Sequence, residues 1–107
     1  MDEFIEHLHE VFSEFGAITA RRMFGGYGIY HDVLMFALVA DNTLYLKADK
    51  FSVERFIELE LPPFEYEKGG KKMKMSYFRA PEEIFDDPHL AEEWATLAFE
   101  AALRAKK

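Results

Sequence analysis

Four histidines, no cysteine and twenty acidic side chains bound the chemistry open to this chain of 107 residues. Glu3, His7, Glu10 and Glu14 fall at i, i+4, i+7 and i+11, one face of a helix able to offer oxygen and nitrogen ligands to a divalent cation. A solvated polar face opposite an apolar one explains the same spacing, and no His-Glu-x-x-His pair accompanies it. His31 precedes Asp32 at an expected turn and His89 follows Pro88 at an expected helix start, so both read as surface or capping histidines without a partner for general-base work. Ser13, Ser52 and Ser76 lack the Gly-x-Ser-x-Gly elbow, and no Ser-x-x-Lys occurs. The acid pairs Glu82-Glu83, Asp86-Asp87 and Glu92-Glu93 stand where carboxylates favour helix starts, so the helix dipole explains them without catalysis. The reading is therefore non-enzymatic and without a cofactor. The alternative is a small metal- or ligand-binding domain, or an enzyme, built on the acidic face around His7 and Glu10.

Gly25-Gly26-Tyr27-Gly28 imitates a phosphate loop only in fragment. A strand follows it in place of a helix N-terminus, and no Gly-Lys-Ser/Thr ending is present, so the three glycines read as a structural turn. The directional charge signal lies elsewhere. Lys68 to Arg79 holds five cations and no carboxylate, whereas residues 1 to 20 hold five carboxylates and no Lys or Arg. Lys71, Lys72, Lys74 and Arg79, interleaved with Tyr77 and Phe78 and joined by Arg21 and Arg22, form a candidate contact surface for a protein or for DNA. Edge lysines that discourage sheet-to-sheet pairing are the competing explanation, and four to six cations support only weak, salt-sensitive DNA affinity.

The elements that must position these residues follow from periodicity. Phe4, Ile5, Leu8, Val11, Phe12 and Phe15 form one helical stripe, with Asp2 as N-cap and Gly16 as stop. Residues from Ala17 to Phe24, Gly28 to Tyr30, Val33 to Ala40 and Leu44 to Lys47 read as an antiparallel meander, with the continuously apolar third strand central and Asp41-Asn42 as a turn. Lys50 to Leu61 reads as a short helix with Phe51, Phe56 and Ile57 inward, stopped by Pro62-Pro63. A second hairpin turns at Gly69-Gly70, with Met73, Met75 and Tyr77 on one face and Lys72, Lys74 and Ser76 on a wet one. Asp87 caps a last helix with Pro88 at its first position, Leu90, Trp94, Leu97, Ala98 and Ala101 buried, and Glu100 paired to Arg104 outside. The sum is α+β: one domain over residues 1–107, a single antiparallel sheet of five to six strands, and N-terminal, middle and C-terminal helices on one side.

At 12.5 kDa the chain can bury a core without staples, and eleven Phe, five Tyr and one Trp supply much of it. The lack of Cys excludes disulfides and thiol chemistry and fits a cytoplasmic protein. No apolar run is long enough to span a membrane, and no secretion signal opens the chain. A net charge of −7 confines any polyanion contact to a local patch.

The stretch Arg21-Arg22-Met23-Phe24-Gly25-Gly26-Tyr27-Gly28-Ile29-Tyr30 leads a longer series. Met35-Phe36-Ala37-Leu38, Leu44-Tyr45-Leu46-Lys47, Pro63-Phe64-Glu65-Tyr66, Met75-Ser76-Tyr77 and Trp94 follow in order. Together they resemble the N-terminal domain of the TfoX family, also called Sxy, bacterial regulators of natural competence, with Met-Phe-Gly-Gly-x-Gly the most specific block. The resemblance implies an α+β fold with a curved antiparallel sheet between helices, similar to secretion-chaperone-like domains that often pair as homodimers. It also implies a transcriptional co-activator working with the cAMP receptor protein, and hence RNA polymerase, at competence promoters, with no enzymatic activity. Two departures fall in turns: Val33 where a Gly often follows the Asp, and Glu58-Leu59-Glu60 where relatives tend to carry a Gly. The family's full regulators carry a second, helical domain.

Overall fold

A computed structural model describes residues 3–23 and 25–106, without the side chains of Lys68 and of residues 73–75. The expected N-cap at Asp2 and the strand end at Phe24 lie outside the described residues. Helix α1 (Glu3–Val11) precedes a meander of β1 (Thr19–Met23), β2 (Gly26–His31), β3 (Leu34–Ala40) and β4 (Thr43–Lys47). Helix α2 (Val53–Glu58) leads to the hairpin β5 (Pro63–Lys68) and β6 (Lys71–Arg79), then a 3₁₀ turn (Glu82–Asp86) and helix α3 (Pro88–Lys106). The sheet is antiparallel in the order β1-β2-β3-β4-β6-β5, so β3 is interior and β1 and β5 are edges. This is the α+β architecture expected from the pattern. No helix among the described residues is long and apolar enough to cross a membrane.

Three hairpins among the described residues have two-residue loops, the length that favours turns with positive φ because their twist matches that of the strands. Asp41-Asn42 (φ 50° and 54°) and Gly69-Gly70 (59° and 80°) suit that conformation. Asp32-Val33 (49° and 58°) does so only in its first residue, because Val33 holds a β-branched side chain in the left-handed region. Val33 therefore belongs to the turn and not to the third strand, and it is 94% exposed. Val33→Gly removes about 2 kcal/mol of left-handed strain and restores about 1 kcal/mol of unfolded-state freedom. Denaturant unfolding should show a net gain of about 1 kcal/mol; an unchanged or lowered midpoint would mean the turn tolerates valine.

Helices α1 and α3 and the 3₁₀ turn cover one face of the sheet, where Ile5, Leu8, Phe12, Phe36, Leu46 and Ile84 are fully buried. Phe12 and Phe15 meet Phe36 at centroid distances of 5.6 and 5.2 Å. Phe56 contacts Trp94 at 5.1 Å and Phe78 at 5.4 Å, joining α2, α3 and β6. Ala91, Ala95, Ala98 and Ala102 recur at helical spacing and are all buried, so α3 presents its smallest side chains to the sheet and lies close against β3 and β4.

The middle helix departs from expectation. It begins at Val53 and has six residues, so it turns only Phe56 fully inward; Ile57 is 53% and Phe51 69% exposed. Phe51 precedes the helix and meets the guanidinium of Arg104 at 5.0 Å. Asp87 caps α3 as expected, its Oδ1 accepting from the amides of His89 and Leu90 at 3.1 Å each.

Candidate functional site

The sheet face opposite the helices is where chemistry-bearing residues gather. Strand alternation and register place Arg21, Gly28, Leu38, Tyr45 and Arg79 in one row across five strands. Thr19, Tyr30 and Met35 form a neighbouring row, and Lys47 stands opposite Tyr77. Phe64, at a register break in β5, meets Tyr45 at 5.0 Å and stacks with Tyr66 at 6.3 Å, which brings β5 aromatics onto the same face. Arg21 lies over the Tyr30 ring at 5.7 Å and Lys47 over the Tyr77 ring at 5.2 Å, while the Lys47 ammonium donates to Ser76 Oγ at 2.5 Å. Tyr77 is buried, which pushes its phenol up to about 12 with Tyr30 adding to the shift, so it stays neutral at physiological pH. Gly28 is roofed by this face: a Cβ there would meet Met23 Sδ, Met35 Sδ and Tyr30 Cε1 at 3.1 Å each.

The expected cations are dispersed over this frame. Arg21 and Arg79 share a row but stand four strands apart, about 19 Å at the usual ~4.8 Å strand spacing. Arg22 alternates to the other side of β1 and borders an open recess with Met23, Gly25, Gly26 and Tyr27. Lys71 and Lys72 are exposed near the hairpin tip, where Lys72 pairs in register with Glu67 and Lys74 with Glu65; the side chain of Lys74 lies outside the described residues. Lys72 and Lys74 thus stand in register with carboxylates across the ladder and Lys71 with Lys68, while the strand positions of the helix-free face carry Arg21, Lys47, Lys71 and Arg79 and, among the described residues, no Asp or Glu. Lys47, Tyr30, Tyr45 and Phe64 stand in the family-specific blocks of the sequence but not in its candidate contact set. The signal for them is the meander's alternation, read together with which face the helices cover.

The acidic helix face does not persist as a unit. Helix α1 ends at Val11, and Glu14 lies beyond it, where its Oε1 meets His89 Nδ1 at 2.7 Å. His7 instead stacks on Phe85 at 6.3 Å beside a shallow recess of about 330 Å³ that also includes Thr43 and Arg79. Three ligating side chains converge elsewhere: atoms of Glu14, His89 and Glu92 lie within 4.8 Å of one another, in an exposed setting. His31 is held by packing, its Nδ1 at 2.7 Å from the Ala17 carbonyl and its ring against Phe15 and Phe99.

The Glu14 hydrogen bond, supported by the charges of Glu14, Glu92 and Asp87, raises His89 above its ordinary value of 6.5. A raised folded-state pKa stabilises most below the unfolded value and is lost as pH rises through the folded one. The melting temperature of Glu14→Gln should therefore fall below that of the parent near pH 6 and converge with it above about pH 8. A gap independent of pH would assign the loss to packing.

The TfoX N-terminal domain family model matches residues 10–102. The chain is 28% identical over 97 residues to protein Sxy of Escherichia coli K12, an alignment covering 91% of this chain and 46% of that protein. It is 34% identical over 82 residues to the DNA transformation protein TfoX1 of Aliivibrio fischeri, covering 73% and 39%. The chain spans less than half the length of these curated relatives.

Proposed function

The chain belongs to the TfoX N-terminal domain family, and on that ground we propose that it is a non-enzymatic regulatory module for DNA transformation, acting in the cytoplasm through contact with the transcription machinery. Similarity to the family over residues 10–102 carries the reading. The cAMP receptor protein, or RNA polymerase beside it, is the proposed partner. The contact surface is the β5–β6 hairpin with Lys71, Lys72 and Lys74, flanked by Arg79, with Arg21 and Arg22 beside the glycine turn on the far edge. This two-stranded hairpin can dock through its tip without disturbing the core, since the tip residues at 69–72 are exposed.

Charge reversal of Lys71, Lys72 and Lys74 should weaken binding to a complex of cAMP receptor protein and promoter DNA at least tenfold in titrations at fixed salt. The melting temperature should move by no more than a few degrees, because exposed charges contribute little to stability. Unchanged affinity would remove the hairpin as the docking surface. Weak, salt-sensitive DNA contact by the same cations would appear as a signal on promoter DNA without the protein partner.

A further inference from the structure

We infer that the helix-free face of the sheet is a stacking platform for single-stranded nucleic acid, a binding surface that shares Arg21 and Arg79 with the proposed contact surface but does not depend on Lys72 and Lys74 of the hairpin. The inference starts from charge. In a chain of net charge −7, the strand positions of this face carry Arg21, Lys47, Lys71 and Arg79 and no carboxylate among the described residues. An anionic occupant is thereby selected. A second copy of the chain placed face to face would set these cations against their own equivalents, which disfavours self-pairing here.

The rings narrow the choice. Tyr30, Tyr45 and Phe64 are half-buried and Tyr66 is 36% exposed, so each keeps part of its surface open while its base is held by the sheet. Tyr45, Phe64 and Tyr66 follow one another at 5.0 and 6.3 Å, and Arg21 stands at the Tyr30 ring. Aromatic side chains fixed on an antiparallel sheet and bordered by cations are the arrangement on which two or three unstacked bases rest while phosphates meet the positive side chains. Duplex DNA fits poorly. Six strands at about 4.8 Å spacing make a surface about 24 Å across, twice the ~12 Å width of the major groove.

The test is fluorescence anisotropy of the whole chain with dye-labelled oligothymidylate of about 12 nucleotides, within the range of known single-strand site sizes. Saturable binding is expected, with log K falling against log salt at a slope between about −2 and −3, the value for three to four neutralised phosphates. Tyr45→Leu and Tyr66→Leu, which keep apolar bulk, should each lower affinity about tenfold, and Arg21→Gln should flatten the slope by about 0.7. Circular dichroism melts establish that the variants fold. Charge reversal of Lys72 and Lys74, whose strand positions alternate to the other face, should leave this affinity largely intact, which separates the platform from the hairpin reading.

Any of these results would overturn the inference: no saturable binding near 50 mM salt, equal or tighter binding to duplex of the same length, displacement by an acidic peptide at equal charge, or indifference to both tyrosine substitutions. Dimerisation lost on Tyr45→Leu would do the same, by giving the face to a second copy.

Discussion

Replacement of Gly26 by alanine should cost at least about 3 kcal/mol, the largest loss expected from any single methyl group added to this chain. Gly26 opens β2 opposite Met23, where the sheet's first two strands meet the neighbouring β3. A Cβ there would stand 2.0 Å from the Val39 carbonyl oxygen and 3.1 Å from its carbon. Both obstacles are backbone of the interior strand, so no side chain can swing aside and the β2–β3 ladder must open. For a domain of this size, that loss lowers the melting temperature by on the order of 12 °C or more. Two neighbours calibrate the claim. Gly25 has φ +76° but open space around it, so Gly25→Ala should cost only about 1 kcal/mol. Gly28→Ala meets the movable ends of Met23, Met35 and Tyr30, and should fall between the two. Thermal melts of the three variants giving equal losses would show that close approach is not what requires glycine at position 26.

That ranking could not be read from the Gly-Gly-Tyr-Gly block, whose glycines look equivalent until the neighbouring strand is placed. What the sequence shows well is local. The stripe from Phe4 to Phe15, the turn pairs Asp41-Asn42 and Gly69-Gly70, and the Asp87-Pro88 cap each depend on residues a few positions apart, and each has its place in the structure. The apolar character of Phe51 and Ile57 points inward, but 69% and 53% of their surfaces stay exposed. The chain reserves the inward space for Phe56 between Trp94 and Phe78, and a six-residue helix has only one inward position to give.

The candidate surface shows the same limit more sharply. Alternation along β6 separates lysines from methionines and Tyr77, but it does not reveal which side the helices cover. Cross-strand register then sets Lys72 against Glu67, while Arg21, Lys47 and Arg79, far apart in sequence, come to share a face without carboxylates. Long-range partners were likewise out of view. Glu14 and His89 are 75 positions apart, and Arg104, expected to pair with Glu100 one helical turn away, turns its hydrogen bonds to Asp49 across 55 positions.

That last contact anchors the second large effect: Asp49→Ala should destabilise the chain by about 2 kcal/mol. Asp49 Oδ1 accepts from the amides of Phe51 and Ser52 at 3.0 and 3.2 Å, and the Asp49 amide donates to Ser52 Oγ at 3.0 Å, a reciprocal box closing the turn before α2. Ser52 is fully buried, so truncating the carboxylate removes the acceptor of its hydroxyl at 3.3 Å and leaves its amide only the Asp49 carbonyl at 3.1 Å in a dry site. Arg104 Nε and Nη2 reach the same carboxylate at 2.5 and 3.1 Å, tying the end of α3 to this turn. Asp49→Asn keeps an oxygen for the two amides and removes the charge, so it isolates the Arg104 contribution and should cost clearly less than alanine. The Arg104 hydrogen bonds hold the Asp49 carboxyl below its ordinary 3.8. Stability from a lowered carboxyl is present above the unfolded value and lost as pH falls through the folded one. The gap between the parent and Asp49→Asn should thus be steady from pH 7 to 5 and close below about pH 4. An Arg104→Gln cycle checks the assignment, because the asparagine variant should then lose little more in that background. If the asparagine and alanine variants melt together, the box contributes nothing and the ion pair alone fixes the turn on which Phe56, and through it β6, is seated.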